Sequence, residues 1–300
     1  MKRIAGFTIA FLIAAGTSLP ATPAPITTNT ALPVAKGEYV FRQQAIFNQS
    51  GDDPSGARRD HHVAVSASVL GYGVTADLAL FGVAPLAYKK LRMTAPGGAR
   101  VTREDSGLGD IRAFARYTVY KRDMPGRTLR IAPFASIEFP TGDDTATDAL
   151  GRLPPPVRLG SRSWDPFGGL IVTWQTLDYQ IDVQASYQAN IEAGGFEFGD
   201  VARLDGSLQV RLWPGELGDD TSAFVYGVAE LNLINQGKNR MSGVANPDSG
   251  GTALWGLLGL QYVTPRRIIE AGVQLPLMQD LNRTALQRDY IARGGFRLNF

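Results

Sequence analysis

Tyr179-Gln180-Ile181-Asp182-Val183-Gln184-Ala185-Ser186-Tyr187-Gln188 is the stretch whose reading decides the fold. Its odd positions are apolar or aromatic and its even positions are polar or charged. Successive side chains of a β-strand point to opposite faces, so this order builds a strand with one apolar and one polar face. A helix would scatter the same residues around its circumference. The strand is also about ten residues long, the length that crosses a bilayer when tilted.

The pattern recurs on both sides. Leu204, Leu208, Val210 and Leu212 alternate with Arg203, Asp205, Ser207, Gln209 and Arg211. Ile111, Ala113, Ala115 and Tyr117 alternate with Asp110, Arg112, Phe114 and Arg116, and Leu129 to Phe139 alternates with Arg130, Phe134 and Glu138. Marking every such run yields twelve strands, near 37–48, 61–71, 75–88, 109–120, 128–139, 165–175, 179–190, 201–213, 222–235, 251–263, 268–277 and 289–300. The links between them alternate in length. Short links follow the second, fourth, sixth, eighth and tenth strands, and the others, such as 49–60, 89–108 and 140–164, are long. Short turns at one end and long loops at the other are the asymmetry of an outer-membrane barrel. The expected fold is all-β: an antiparallel transmembrane β-barrel of about 12 strands in an up-and-down meander.

Composition agrees. The chain has 300 residues, no cysteine, and 30 Lys plus Arg against 28 Asp plus Glu. Disulfides, thiolate metal sites and a lipid-modified cysteine are excluded, and so near a neutral balance offers no electrostatic case for nucleic acid. The apolar run 63–87 is too broken to be a transmembrane helix, since it would carry the charge of Asp77 near its centre and Pro85 further along. It reads as a hairpin turning at Gly71-Tyr72-Gly73. Met1-Lys2-Arg3, a short apolar run and the small residues around Ala21 and Ala24 make a signal peptide over 1–24. Residues 25–36, rich in Thr and Pro, read as a flexible segment, and 37–300 form the barrel. The expected location is an outer membrane of the Gram-negative type. Trp174, Tyr179 and Tyr262 fall on apolar faces at the short-turn ends, where an interfacial girdle belongs.

Ser106-Gly107-Leu108-Gly109-Asp110-Ile111 through Arg116-Tyr117, the strand ending Phe139-Pro140-Thr141-Gly142, Pro166 to Gly169, and the C-terminal strand together resemble the outer-membrane family named for the meta-pathway of phenol degradation. The resemblance implies a transporter of aromatic or hydrophobic compounds. The closing strand, with Phe300, Leu298 and Phe296 on one face, also resembles those read by the barrel-assembly machinery. The implied partners are therefore outer-membrane lipid, that machinery and a small-molecule solute.

Charges facing lipid at mid-depth are costly, so alternation directs them inward. The expected lumen-lining set is Asp110, Arg112, Phe114, Arg116, Arg130, Phe134, Glu138, Asp182, Arg203, Asp205, Arg211, Glu230, Glu270, Arg293 and Arg297. The charged members either line a water-filled path or pair across the barrel, and their near balance favours pairing. Phe167, Phe224 and Tyr226 also point inward, either as a greasy path or as packing against an N-terminal segment tucked inside. No enzyme is expected. His61 and His62 lie beside Asp60, but Ser66 and Ser68 are too far along the strand to complete a triad, and no nucleophile-elbow, zinc or phosphate-loop motif occurs. No cofactor and no metal site is expected, and the acidic pairs such as Asp143-Asp144 read as solvated turns. The reading is a channel or transporter for small, hydrophobic or aromatic solutes. The alternative is a closed structural or adhesive barrel acting through its long loops, and further behind stands an outer-membrane hydrolase.

Overall fold

The computed structural model describes residues 22–218 and 221–300. Most of the expected signal peptide lies outside them. Twelve antiparallel strands follow one another around a closed ring: β1 Tyr39–Ser50, β2 Asp60–Gly73, β3 Leu78–Thr94, β4 in three segments (Arg100–Leu108, Ile111–Tyr117 and Tyr120–Met124), β5 Arg127–Phe139, β6 Asp165–Thr176, β7 Tyr179–Gln188, β8 Val201–Trp213, β9 Phe224–Gln236, β10 Gly251–Val263, β11 Arg267–Leu281 and β12 Tyr290–Asn299. Each pairs with its chain neighbours, and β1 closes on β12 in a continuous register from Val40↔Asn299 to Gln49↔Tyr290. Closure leaves no sheet edge, as a membrane interior demands. Among the described residues no helix is long and apolar enough to cross a membrane.

The opening stretch shows why. In β7 the odd residues face outward and exposed, while Gln180, Asp182, Gln184 and Ser186 are buried inside. Tyr179 and Tyr187, eight residues apart on the outward face, bracket Ile181, Val183 and Ala185. At ~3.3 Å per residue and a tilt of ~40°, they stand about 20 Å apart along the barrel axis, close to the height of a lipid-facing band. Outward aromatics mark both rims: Tyr39, Tyr72, Tyr117 and Tyr262 join Tyr179 at the short-turn end, and Phe47, Tyr88, Trp164 and Tyr290 join Tyr187 at the long-loop end.

Prolines locate the irregularities. Pro85 of β3 has no N–H for its ladder, and opposite it β4 takes one extra residue. Leu86 pairs with Leu108 and Val83 with Arg112, while the Gly109 amide donates to the Pro85 carbonyl at 2.8 Å. Beside Pro133 of β5 the fourth strand breaks again, between Arg116↔Phe134 and Tyr120↔Ile131. Pro276 faces Trp255 where β10 and β11 slip register. Each extra residue is a β-bulge, which bends its strand and reverses which residues face inward beyond it.

Three expectations need correction. The turn between β2 and β3 lies at 74–77 rather than at Gly71-Tyr72-Gly73. Tyr72 still belongs to the rim, its ring 4.8 Å from that of Tyr39, and Gly71 leaves room for the Phe81 ring. Much of 89–108, taken for a loop, is a hairpin that prolongs β3 and β4 past the Tyr88 rim. Its charges lie on both faces there because neither face meets lipid. Residues 25–36, read as a flexible lead-in, run inside the barrel. Ala24, Ile26, Thr28, Ala31 and Val34 are buried.

Candidate functional site: the lumen and its N-terminal segment

A segment rich in Thr and Pro forms no helix or strand of its own, so its buried backbone groups need partners from the barrel wall. Inward-facing side chains supply them. Glu230 accepts from the Ile26 amide at 2.6 Å, from the Thr27 amide at 2.9 Å and from the Thr27 hydroxyl. Thr173 Oγ1 accepts from the Ala31 amide at 2.7 Å, and Asn29 donates to Gln184 at 2.8 Å. Arg116 donates to the Thr30 and Leu32 carbonyls at 2.5 and 2.6 Å, and Arg42 donates to the Ile26 carbonyl at 2.8 Å. Apolar contacts complete the seat. Ile26 packs on Val228 and Leu257, and Ala31 on Ala132, Phe134 and Ile171. Gly259 and Gly272 make room for the Ile26 side chain, since a Cβ at either would meet its Cδ1.

The expected lumen residues sort into distinct settings. Arg112 pairs with Glu138, and Arg203 with Asp205 at 3.0 Å. Arg130 and Arg211 pair with Asp123 and Asp178 at the short-turn end. Glu270 pairs with Arg42, a residue missed in sequence because β1 alternates weakly. Asp182 accepts from Thr173 and Gln180. Asp110 accepts from the Gly142 and Ser161 amides at 2.9 and 2.6 Å, and so tethers the loop 140–164. Among the described residues Arg293 reaches only Gln44, at 3.3 Å. Arg297 has a buried Nε with no hydrogen-bond partner.

The aromatics divide as well. Phe81, Phe114, Phe134 and Phe167 sit on successive strands β3 to β6 and climb from the short-turn half toward the loops. Their ring centroids are 4.4, 6.4 and 5.1 Å apart in turn. Arg116 caps the lower end, 5.0 Å from the Phe81 ring, and Arg112 lies 5.1 Å from the Phe167 ring. Phe224 and Tyr226 belong elsewhere, packed with Val263 and Ile268. The ladder runs past two neighbouring cavities. The lower, of about 450 Å³, is walled by Phe81, Val69 and Leu32 of the segment together with several arginines. The upper, of about 310 Å³, is walled by Phe134, Phe167, Pro85 and the Arg112–Glu138 pair. Phe114, Val83 and Asn29 line both. Phe81 escaped the sequence reading because the misplaced turn hid its partners, although its odd position in β3 carries the signal.

The long loops fold over the upper mouth. Leu153 and Val157 of the loop 140–164 are buried against Leu91, and Arg103 grips Asp148 and the Gly151 and Arg152 carbonyls. Asp53 holds Arg59, which reaches the Thr284 carbonyl and so ties the loop 51–59 to 282–289. Partial burial would raise the Asp53 pKa, but donors on Arg59 and Ser55 outweigh it and hold the carboxyl well below the usual range. His62 is exposed beside Asp60 at 3.1 Å, while His61 has a buried Nε2 without a partner. Ser66 and Ser68 face outward and bond Gln43, away from the buried imidazole. Among the described residues no group of three or more acidic or imidazole side chains is placed to hold a metal.

No family model matches the chain, and no curated protein matches it in sequence. Solved structures do. An autotransporter β-domain from Bordetella overlays at a TM-score of 0.46, 14% identity, over 88% of this chain and 100% of that one. The NanC porin overlays at 0.46 and 12%, over 86% and 98%. An outer membrane channel from Pseudomonas putida F1 overlays at 0.67 with 13% identity, over 96% of this chain and all of the other. The chain thus has the fold of an outer-membrane β-barrel, similar along almost its whole length to that channel.

Proposed function

We propose that this barrel is a conduit for small apolar or aromatic solutes across an outer membrane, exported there by its N-terminal signal and assembled through its closing strand. The observation that carries the reading is the ladder of Phe81, Phe114, Phe134 and Phe167, which runs from one cavity to its neighbour and lines both. These rings border open volume of the size that small organic ligands occupy. The N-terminal segment occupies much of the polar half of the same lumen and narrows the way for hydrophilic solutes, while Phe81 and Phe114 border the lower cavity and Phe114, Phe134 and Phe167 the upper one. The similarity to a bacterial channel is consistent with transport, and so is the resemblance to the phenol meta-pathway family.

A second reading, a closed barrel serving the envelope through its loops, is favoured by that same seated segment. Single-channel recording of the refolded protein separates the two. A conduit shows small current steps that benzyl alcohol interrupts in a concentration-dependent way, and Phe114→Ala with Phe134→Ala shortens the interruptions. Steps indifferent to benzyl alcohol, or no steps from a verified folded barrel, favour the closed reading.

A further inference from the structure

The lower cavity has an unusual charge account. Arg42, Arg116, Arg130 and Arg297 line it, with Glu38 as the one acidic side chain in its wall. Arg42 is matched by Glu270 and Arg130 by Asp123. Arg116 spends its donors on two backbone carbonyls, which carry no charge. Among the described residues neither Arg116 nor Arg297 has a carboxylate within ion-pair distance. Arg297 also lies directly across the β1–β12 register from Arg42, a like charge. A guanidinium held away from bulk water without a counter-charge is strongly unfavourable. Arg42, Arg112, Arg130, Arg203 and Arg211 show the usual remedy, a carboxylate from the barrel itself. Among the described residues Arg116 and Arg297 have no such partner in ion-pair contact, and both line the open volume of the cavity.

We propose that this cavity binds small amphiphilic anions, carboxylates on an aromatic or short aliphatic body. The headgroup sits on Arg297 beside Arg116, and the body lies along Phe81, Phe114, Val69 and Val83. Arg is suited to this because its planar fork meets a carboxylate with two parallel hydrogen bonds. The inference rests on the conduit reading and narrows it: the solute that dwells at the lower end of the ladder carries a negative charge.

The test compares benzoate with benzyl alcohol, which share a ring and differ in the charged oxygen pair. Binding of each to the whole refolded protein in nanodiscs is measured by calorimetry at neutral pH. The expected result is benzoate binding at least tenfold tighter than the alcohol. Arg297→Gln should bring the ratio to within about twofold, and Arg297→Lys should retain part of it. Heat-dependent gel migration reports folding of each variant, and Arg122→Gln, an exposed arginine at a short turn, controls for net charge. Equal binding of the two probes by the unaltered protein overturns the proposal, as does a preference that survives in folded Arg297→Gln. So does displacement of benzoate by equimolar chloride, which would mark a site for inorganic ions only. If the alcohol still binds in those cases, the conduit reading stands without the charge preference. If neither probe binds, both fall.

Discussion

Replacing Glu230 by Gln should loosen the N-terminal segment without disturbing the barrel. Glu230 takes two backbone amides and a hydroxyl from Ile26 and Thr27. Hydrogen bonds to a charged acceptor contribute ~1.5–3 kcal/mol each. The amide keeps one acceptor oxygen and turns an NH2 group toward the other donor, so at least one such bond is lost. A loss of ~1.5–3 kcal/mol moves the balance between seated and released segment by roughly ten- to a hundredfold. Ser207, which also donates to Glu230 at 3.0 Å, can bond the remaining oxygen, and the strand register does not depend on the side chain. The assay is paired. Amide exchange at Ile26 and Thr27 should quicken by one to two orders of magnitude, and single-channel recordings should show more frequent excursions to a larger conductance. Exchange and conductance both within twofold of the unaltered protein would refute the claim that Glu230 anchors the segment.

Two further outcomes follow from the loop contacts. Leu153→Ala removes a buried side chain that packs with Leu91 and Val157 and should cost ~2–5 kcal/mol, spent locally on the loop 140–164. Limited trypsin digestion should then cut at Arg152 or Arg158 while the barrel stays resistant, and an uncut loop would contradict the packing assigned to it. Because the Asp53 carboxyl is depressed, its contribution to holding the loop 51–59 is complete above the ordinary carboxylate pKa of ~3.9 and fades only as pH falls below it. Amide exchange in that loop should thus be flat from neutral pH to about 4 after correction for intrinsic rates, whereas Asp53→Asn should be labile throughout. A transition between pH 5 and 7 would assign the control to another group.

Period-two order made the barrel legible because lipid and lumen impose opposite demands on adjacent residues, as Tyr179 to Gln188 shows residue by residue. The inward arginines and acids were legible for the same reason. Other features carry no such mark. The hairpin that prolongs β3 and β4 to Thr94 and Arg100 extends beyond the membrane, where neither face meets lipid and the inward one packs on the loop 140–164, so Arg103, Glu104 and Asp105 looked like loop. Residues 25–36 have no periodicity at all, and their order comes from Glu230, Thr173 and Arg116, some 80 to 200 residues away in sequence. Bulges at Pro85 and Pro133 shift facing by one residue, which alternation cannot foresee from a single strand. The phenylalanine ladder was half visible: Phe114, Phe134 and Phe167 by parity, Phe81 only once the turn at 74–77 is placed.

The central claim, that the aromatic ladder is a solute path, is tested most directly by labelling with a photoreactive benzyl azide. The probe is irradiated with the folded protein in nanodiscs, and adducts are mapped by mass spectrometry with benzyl alcohol as competitor. The account predicts competitor-sensitive adducts at inward residues of β3 to β6, around Phe81, Phe114, Phe134 and Phe167. Adducts confined to outward residues such as Leu80, Leu170 and Val183, or insensitive to the competitor, would contradict it.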